Sequence, residues 1–522
     1  MHRKMIVLLV CLFYGWGLTA EEAVDTEVNW KIRREAAENS QIMNIIQQLA
    51  DIHGPRLTGS PAFYEACRWS LETMKQWGLE NGHLENWDFP YAGWGEGKFY
   101  ARVIAPYMQN IYGMAVAWTP GTRGMKRADA VRIDPPERPT HESLQTYLRG
   151  IKDRVRGKIV LTGAPAALPI SFNPPVKRHD ESELLARYDP ENSEIAPAPP
   201  EPNPGNEASL APHEVFMRIN AFLRENGALA KVVDSARSHG QLSALVNPAY
   251  DAANSVPVMV IRNEDYGRIS RVLARGKTVT MELEIENTVF HSNWVSFNAI
   301  ADIPGSDRQD QIVMIGAHID SWHGATGATD NAAGVAVIME AARILRKLDV
   351  RPQKTIRVAL WGGEEQGLLG SKAHVQNNFG AYERRKPGFG KLSAYINLDA
   401  GTGRIRGASV FGPPEAAAVV RRILGPFRDM GVVGVTAVRN RRHGNTDSTS
   451  FSSAGLPGIT LEQDPIEYFT HTWHTSLDTY ERISEEDLKQ CAIVVASLAW
   501  HLATRDELLP RFTENDMPPP EK

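Results

Sequence analysis

The sequence predicts an α/β protein: a mostly parallel, doubly wound sheet flanked by helices, with a second and smaller α/β module inserted into it. Three observations carry this. Apolar runs of strand length alternate with helical stretches from Asn298 to Thr504. Residues 112–285 show their own strand and helix alternation in a different texture. At 522 residues, the chain is also longer than one simple core usually accommodates.

The elements follow in chain order. Arg3 and Lys4 precede the apolar run Met5 to Trp16, and Ala20 supplies a small residue ahead of Glu21 and Glu22. This is the pattern of a cleavable signal over residues 1–20, which predicts a secreted or periplasmic protein. The run is shorter than the ~20 apolar residues of a membrane span, so no stable membrane insertion is expected. After cleavage Cys67 and Cys491 remain, either as one disulfide or as two buried thiols. With 57 basic and 62 acidic residues the net charge is −5, which gives no reason to expect a nucleic-acid partner.

Ile42, Ile45, Ile46 and Leu49 recur at helical spacing, and 62–77 forms a second amphipathic stretch after the loop "DIHGPRLTGS". The inserted module runs from 112 to 285; "VRGKIVLTGAP" (155–165) is a short strand in it, and it contains a loop, 189–208, too rich in Pro and Glu to pack. The main domain is then discontinuous, 21–111 with 286–507, followed by a tail over 508–522. Its later strands are "SFNAIADIPG", "QIVMIGAHID", "KTIRVALWGG", "LSAYINLDAG" and "GLPGITLEQD". A helix is expected from Asn331 to Leu348 and another from Glu485 to Thr504, with Ser484 and Asp487 as a capping box.

In such sheets ligands bind beyond the carboxyl ends of the strands. The strand ends here carry His318, Asp320, Asp330, the adjacent pair Glu364 and Glu365, Asp399 and His474. Imidazole and carboxylate donors without thiolates suit Zn²⁺ or another borderline divalent ion in a catalytic role. Each residue alone has an ordinary explanation: Asp330 could cap a helix, Asp399 could form a turn, and paired glutamates are usually solvated. Their joint occurrence at consecutive strand ends is what those explanations leave unaccounted for.

The segments "GAHIDSWHGATGATDNAAG", "LWGGEEQGLLGS", "NLDAG" and "HTWHTSLDT" resemble the motif series of the co-catalytic zinc exopeptidases, which include bacterial leucyl aminopeptidase and plasma glutamate carboxypeptidase. The inserted module resembles a protease-associated domain. The resemblance implies two Zn²⁺ per chain, with Asp330 bridging, His318 and Asp399 on one ion, and Glu365 and His474 on the other. It implies hydrolysis of terminal peptide bonds by metal-activated water, with Glu364 as general base. Asp320 is expected to orient His318 by accepting its second N–H.

Arg56 is expected to be structural, and His323 to be a wall residue. His443, Glu462 and Tyr468 are the candidate substrate contacts. Glu462 would suit a substrate's α-amino group, which favours an aminopeptidase. Arg439, Arg441 and Arg442 would suit a terminal carboxylate, so a carboxypeptidase or dipeptidase is the alternative. A glutaminyl cyclase-like acyltransferase and a non-catalytic receptor are further alternatives, disfavoured by the complete ligand set. Peptides are the expected partners, and a homodimer stays open.

Overall fold

A computed structural model describes residues 23–189, 209–290 and 295–520. The expected signal (1–20) and all but the first residue of the Pro-rich loop lie outside the described residues. No helix among the described residues is long and apolar enough to cross a membrane. Cys67 and Cys491 are both buried free thiols.

The main sheet has eight strands, in the order Glu80–Asp88, Val295–Ile303, Lys354–Trp361, Arg308–His318, Leu392–Asn397, Gly458–Gln463, Ile405–Phe411 and Gly434–Val438. Its four central strands, from Lys354–Trp361 to Gly458–Gln463, are mutually parallel. The flanks are mixed. Val295–Ile303 pairs antiparallel with both neighbours, and Ile405–Phe411 runs antiparallel to Gly458–Gln463. The parallel arrangement therefore holds at the centre, where the donors lie.

Against this sheet packs Ala333–Lys347, whose residues from Ala333 to Leu345 are all buried. Small and β-branched side chains let it pack closely on both the sheet and Glu485–Thr504, which is buried along most of its length and also lies on the sheet. A helix apolar around nearly its whole circumference is one enclosed on all sides. Its buried Glu340 is held by Arg343 at 2.8 Å, and Arg343 reaches Glu35 at 2.7 Å.

The expected capping box at Glu485–Thr504 does not form. Ser484 makes no side-chain cap; its own N–H is donated to Thr402 Oγ1 at 2.6 Å. Asp487 instead pairs with Arg178 at 2.6 Å, a cation brought in from the inserted module. The tail is also bound: Leu509 joins the main core, and Phe512 packs on Phe411 and Val438.

The second sheet, also of eight strands, runs Gln109–Asn110, Gly93–Ala105, Thr280–Phe290, Lys126–Ile133, Ile159–Thr162, Ala230–Asp234, Val258–Ile261 and Gly113–Ala115. It begins at Gly93, earlier than the boundary of 112 suggested by sequence. Gly93–Ala105 pairs antiparallel with Thr280–Phe290 along most of its length. Phe89, Trp94 and Trp118 share a buried cluster with Met281, Leu283 and Ile285. Leu57, Trp87 and Trp322 of the main domain belong to the same cluster, so the two sheets share apolar packing beside the donor strands.

Candidate metal centre

His318 ends the strand Arg308–His318, and Asp330 sits in the turn Ala328–Ala332 before Ala333–Lys347. Glu364 and Glu365 follow Lys354–Trp361, and Asp399 follows Leu392–Asn397. His474 lies just beyond the turn Tyr468–Thr472. Because three of these strands are parallel neighbours, their ends open on one side of the sheet.

The side chains converge on Asp330. His318 Nε2 lies 3.2 Å from Asp330 Oδ1 and 3.2 Å from Asp399 Oδ1. His474 Nε2 lies 3.3 Å from Asp330 Oδ2 and 3.0 Å from Glu365 Oε2. The two oxygens of one carboxylate thus face two different imidazoles, each accompanied by a second carboxylate. The His318, Asp330 and Glu365 donor atoms also lie within 4.8 Å of one another. Asp330 Oδ2 and Glu365 Oε1 are buried without a hydrogen-bond donor, which is what ligand atoms waiting on a cation look like. The donor set and these orphaned oxygens fit borderline divalent ions.

The electrostatics agree. Burial pulls His318 down, but Asp399, Glu364, Asp320 and Asp330 outweigh it and raise the imidazole well above its ordinary value. Burial likewise opposes protonation of His474, which Glu365 and Asp330 nonetheless raise to about 10. Burial, reinforced by Asp330, pushes Glu365 up to about 7 against the pull of His474. Glu364 is raised well above the carboxylate range by burial and by Asp399, Asp447 and Glu365, against His318. Crowded carboxylates around two imidazoles are a site that lacks positive charge.

Asp320 departs from its expected part. His318 Nδ1 meets the backbone carbonyl of Asp320 at 3.0 Å, whereas the carboxylate is 3.6 Å away. That carboxylate instead accepts the backbone N–H groups of Glu364 (3.2 Å) and Glu365 (3.3 Å), and the Thr58 hydroxyl at 2.9 Å. One buried acid therefore fixes the turn bearing both glutamates. Gly363 makes that turn with φ +70°, and a Cβ there would stand 2.6 Å from the Trp87 ring.

Three polar residues not assigned a role from sequence contribute. Thr446 donates to Asp399 Oδ2 at 2.6 Å. Asp478 accepts the Thr329 N–H (2.5 Å), the Thr329 hydroxyl (2.8 Å) and the Asp330 N–H (3.2 Å), so it holds the turn that presents Asp330. Asp447 is buried near His318 and Asp399, and burial pushes its carboxyl up to about 7. The polar run "NTDSTSF" was the available signal for Thr446 and Asp447.

The expected substrate contacts separate. Tyr468 is buried beside the donors, which together with burial hold its hydroxyl protonated. His443 shares a hydrogen bond with Ser409 at 2.6 Å and pairs with none of the five donors. Glu462 accepts from Tyr188 (2.8 Å) and Arg187 (3.0 Å) of the inserted module. Both bonds fall on Oε2, so the inserted module engages one oxygen of this carboxylate. Arg439 donates one N–H to the Asp516 carbonyl, and Arg441 pairs with Glu383. Arg56 is fully buried and donates to the carbonyls of Leu49, Ile319, Thr326 and Gly327, a structural role. His323 is buried against Trp94, with its Nε2 2.8 Å from the Ala115 carbonyl.

Residues 298–499 match the model for Peptidase family M28. Carboxypeptidase Q of Rattus norvegicus is 27% identical over 469 residues, covering 89% of this chain and 85% of the relative. Leucine aminopeptidase 1 of Pyrenophora tritici-repentis is 27% identical over 256 residues, 45% of this chain and 62% of that one. The crystal structure of a Peptidase M28 precursor from Shewanella amazonensis superposes with a TM-score of 0.65 at 25% identity, covering 94% of this chain and 99% of the other. The segment that matches this family contains all five donors, and the chain aligns with such peptidases along most of its length: the protein is a metallo-exopeptidase similar to those of peptidase family M28.

Proposed function

We propose that the chain is a two-zinc exopeptidase in which Asp330 bridges the ions, His318 and Asp399 hold one, and Glu365 and His474 hold the other. The observation that carries this is the Asp330 carboxylate, whose oxygens face His318 and His474 separately at 3.2 and 3.3 Å. Bound zinc supplies Lewis acidity toward the peptide carbonyl and the attacking water. Glu364, held by the Asp320 carboxylate through its backbone, takes the proton from that water and returns it to the leaving amine. Tyr468, buried beside these carboxylates, keeps its hydroxyl proton and is the candidate donor to a substrate oxygen. Residues 1–20 read as an export signal, so the proposed place of action is outside the cytoplasm.

Removal of metal with a chelator is expected to abolish peptide hydrolysis, and zinc or cobalt to restore it. Metal analysis of the saturated chain should find two ions; fewer than two overturns the bridged site. Glu365 at about 7 and His474 at about 10 must both give up protons to bind. Zinc uptake should therefore tighten from pH 6 to pH 8 and release protons as it occurs.

For the terminus attacked, the acidic residue that favoured aminopeptidase is already engaged by Arg187 and Tyr188. Carboxypeptidase Q of Rattus norvegicus matches over most of both chains, which supports release from the C-terminus. The test is a peptide panel blocked at either end. Loss of cleavage on C-terminal amidation is the expected result; loss on N-terminal acetylation instead makes the enzyme an aminopeptidase.

A further inference from the structure

The inserted module touches the metal-ligand loop through its backbone. Ala244 donates its N–H to the carbonyl of His474 at 2.8 Å. Ser476 donates its N–H to the Leu242 carbonyl at 2.9 Å, and Leu242 returns an N–H to Ser476 Oγ at 3.1 Å. Ser243 and Thr475 complete an antiparallel bridge between the two segments.

His474 needs such support. Its φ is +55°, in the left-handed region that residues with a Cβ seldom occupy. The clamp grips the carbonyl of that residue and the backbone two residues further on. The gripping segment is itself bolted to the inserted sheet. Ser243 donates its N–H to Ser235 Oγ at 2.9 Å and its hydroxyl to the Ser235 carbonyl at 3.0 Å, while the Leu242 side chain is buried in the module's core. The imidazole is fixed from two further directions, stacked on Trp473 at 4.2 Å and edge-on to Trp322 at 6.0 Å. Trp322 in turn packs on Trp118 of the inserted module. Ala244 also lines, with Trp322, Gly324, Asp330 and His474, a small cleft beside the donors.

We infer that the Leu242–Ala244 backbone of the inserted module is a positioning element for the metal site, holding His474 in the conformation that directs its Nε2 toward Asp330 and Glu365. This rests on the reading of His474 as a ligand. It gives the module a task at the metal site: one ion of the pair binds tightly only while the module grips the ligand loop. Among the described residues, His318 and Asp399, assigned to the partner ion, have no hydrogen bond to this segment.

The test uses the full chain stripped of metal and titrated with zinc alone, with ions counted after dialysis and folding followed by near-UV circular dichroism. Ala244→Pro removes the N–H that holds the His474 carbonyl. It should weaken one ion by about 10- to 100-fold, the usual cost of losing a group that orients a ligand, and leave the other within about twofold. Ala244→Gly keeps the N–H and should bind both ions as the parent does. Ser476→Ala removes the acceptor for Leu242 and should weaken the same ion by a smaller factor. A folded Ala244→Pro chain that binds both ions with parental affinity overturns the proposal; if that variant does not fold, parental binding by Ser476→Ala does so. His474→Ala separates the two levels. Retention of both ions there overturns the ligand assignment, whereas loss of one ion there with unchanged clamp variants overturns only the clamp.

Discussion

Glu364→Gln is expected to keep both metal ions and the native fold while kcat falls by about 10² to 10⁴, the range a positioned general base contributes. The amide has the shape of the carboxylate but cannot accept the proton of the attacking water. Nothing that holds the turn is removed: the Asp320 carboxylate still receives the backbone N–H groups of residues 364 and 365, and Glu365 keeps its 3.0 Å approach to His474. The environment of Glu364 suits the task, since burial and the carboxylates of Asp399, Asp447 and Glu365 strengthen its hold on a proton. KM should change much less than kcat, because the lost interaction belongs to proton transfer and not to binding. The measurement is steady-state kinetics beside metal analysis of the same preparation. A variant that turns over at the parental rate removes Glu364 from the mechanism, and one that loses metal makes it a ligand.

The donors were legible because of where parallel strands end. His318, Glu364, Glu365 and Asp399 each follow an apolar run, so a polar residue stands out against its own strand, and the parallel centre of the sheet brings those ends together. What stayed hidden depends on contacts between distant segments. Asp320 lies two residues beyond His318, yet the turn geometry gives the imidazole its carbonyl and sends its carboxylate 44 residues onward to Glu364. Glu462 reads as an open acid until Arg187 and Tyr188 arrive from the inserted module, 275 and 274 residues earlier in the chain. The contact between Ala244 and His474 is made by a backbone N–H, which every residue but proline carries, so no side chain announces it. The start of the second sheet at Gly93 follows from aromatic packing of Phe89 and Trp94 under strands nearly two hundred residues away.

On the proposed two-zinc reading, the same geometry makes Asp330 the most sensitive position, and Asp330→Asn the substitution with the largest expected loss. In the proposed two-zinc arrangement any other ligand serves one ion, so its removal leaves a complete set around the second. Asp330 faces both imidazoles, and the amide that replaces it brings no negative charge to offset two divalent cations. The saturated variant should hold fewer than two ions, and kcat/KM should fall by about 10³ or more, since several kcal/mol of transition-state stabilisation attributed to the metals goes with them. A readout independent of turnover is available in the stripped protein. Asp330 raises both His318 and His474 there, and His474 stands at about 10. Losing that charge must lower both imidazoles, His474 from near 10 toward its ordinary value, because a neutral neighbour no longer favours the protonated form. Histidine titration by NMR should show the two resonances moving to lower pKa together. If only one of them moves, Asp330 faces a single imidazole, and the case for a shared carboxylate fails even if activity is lost.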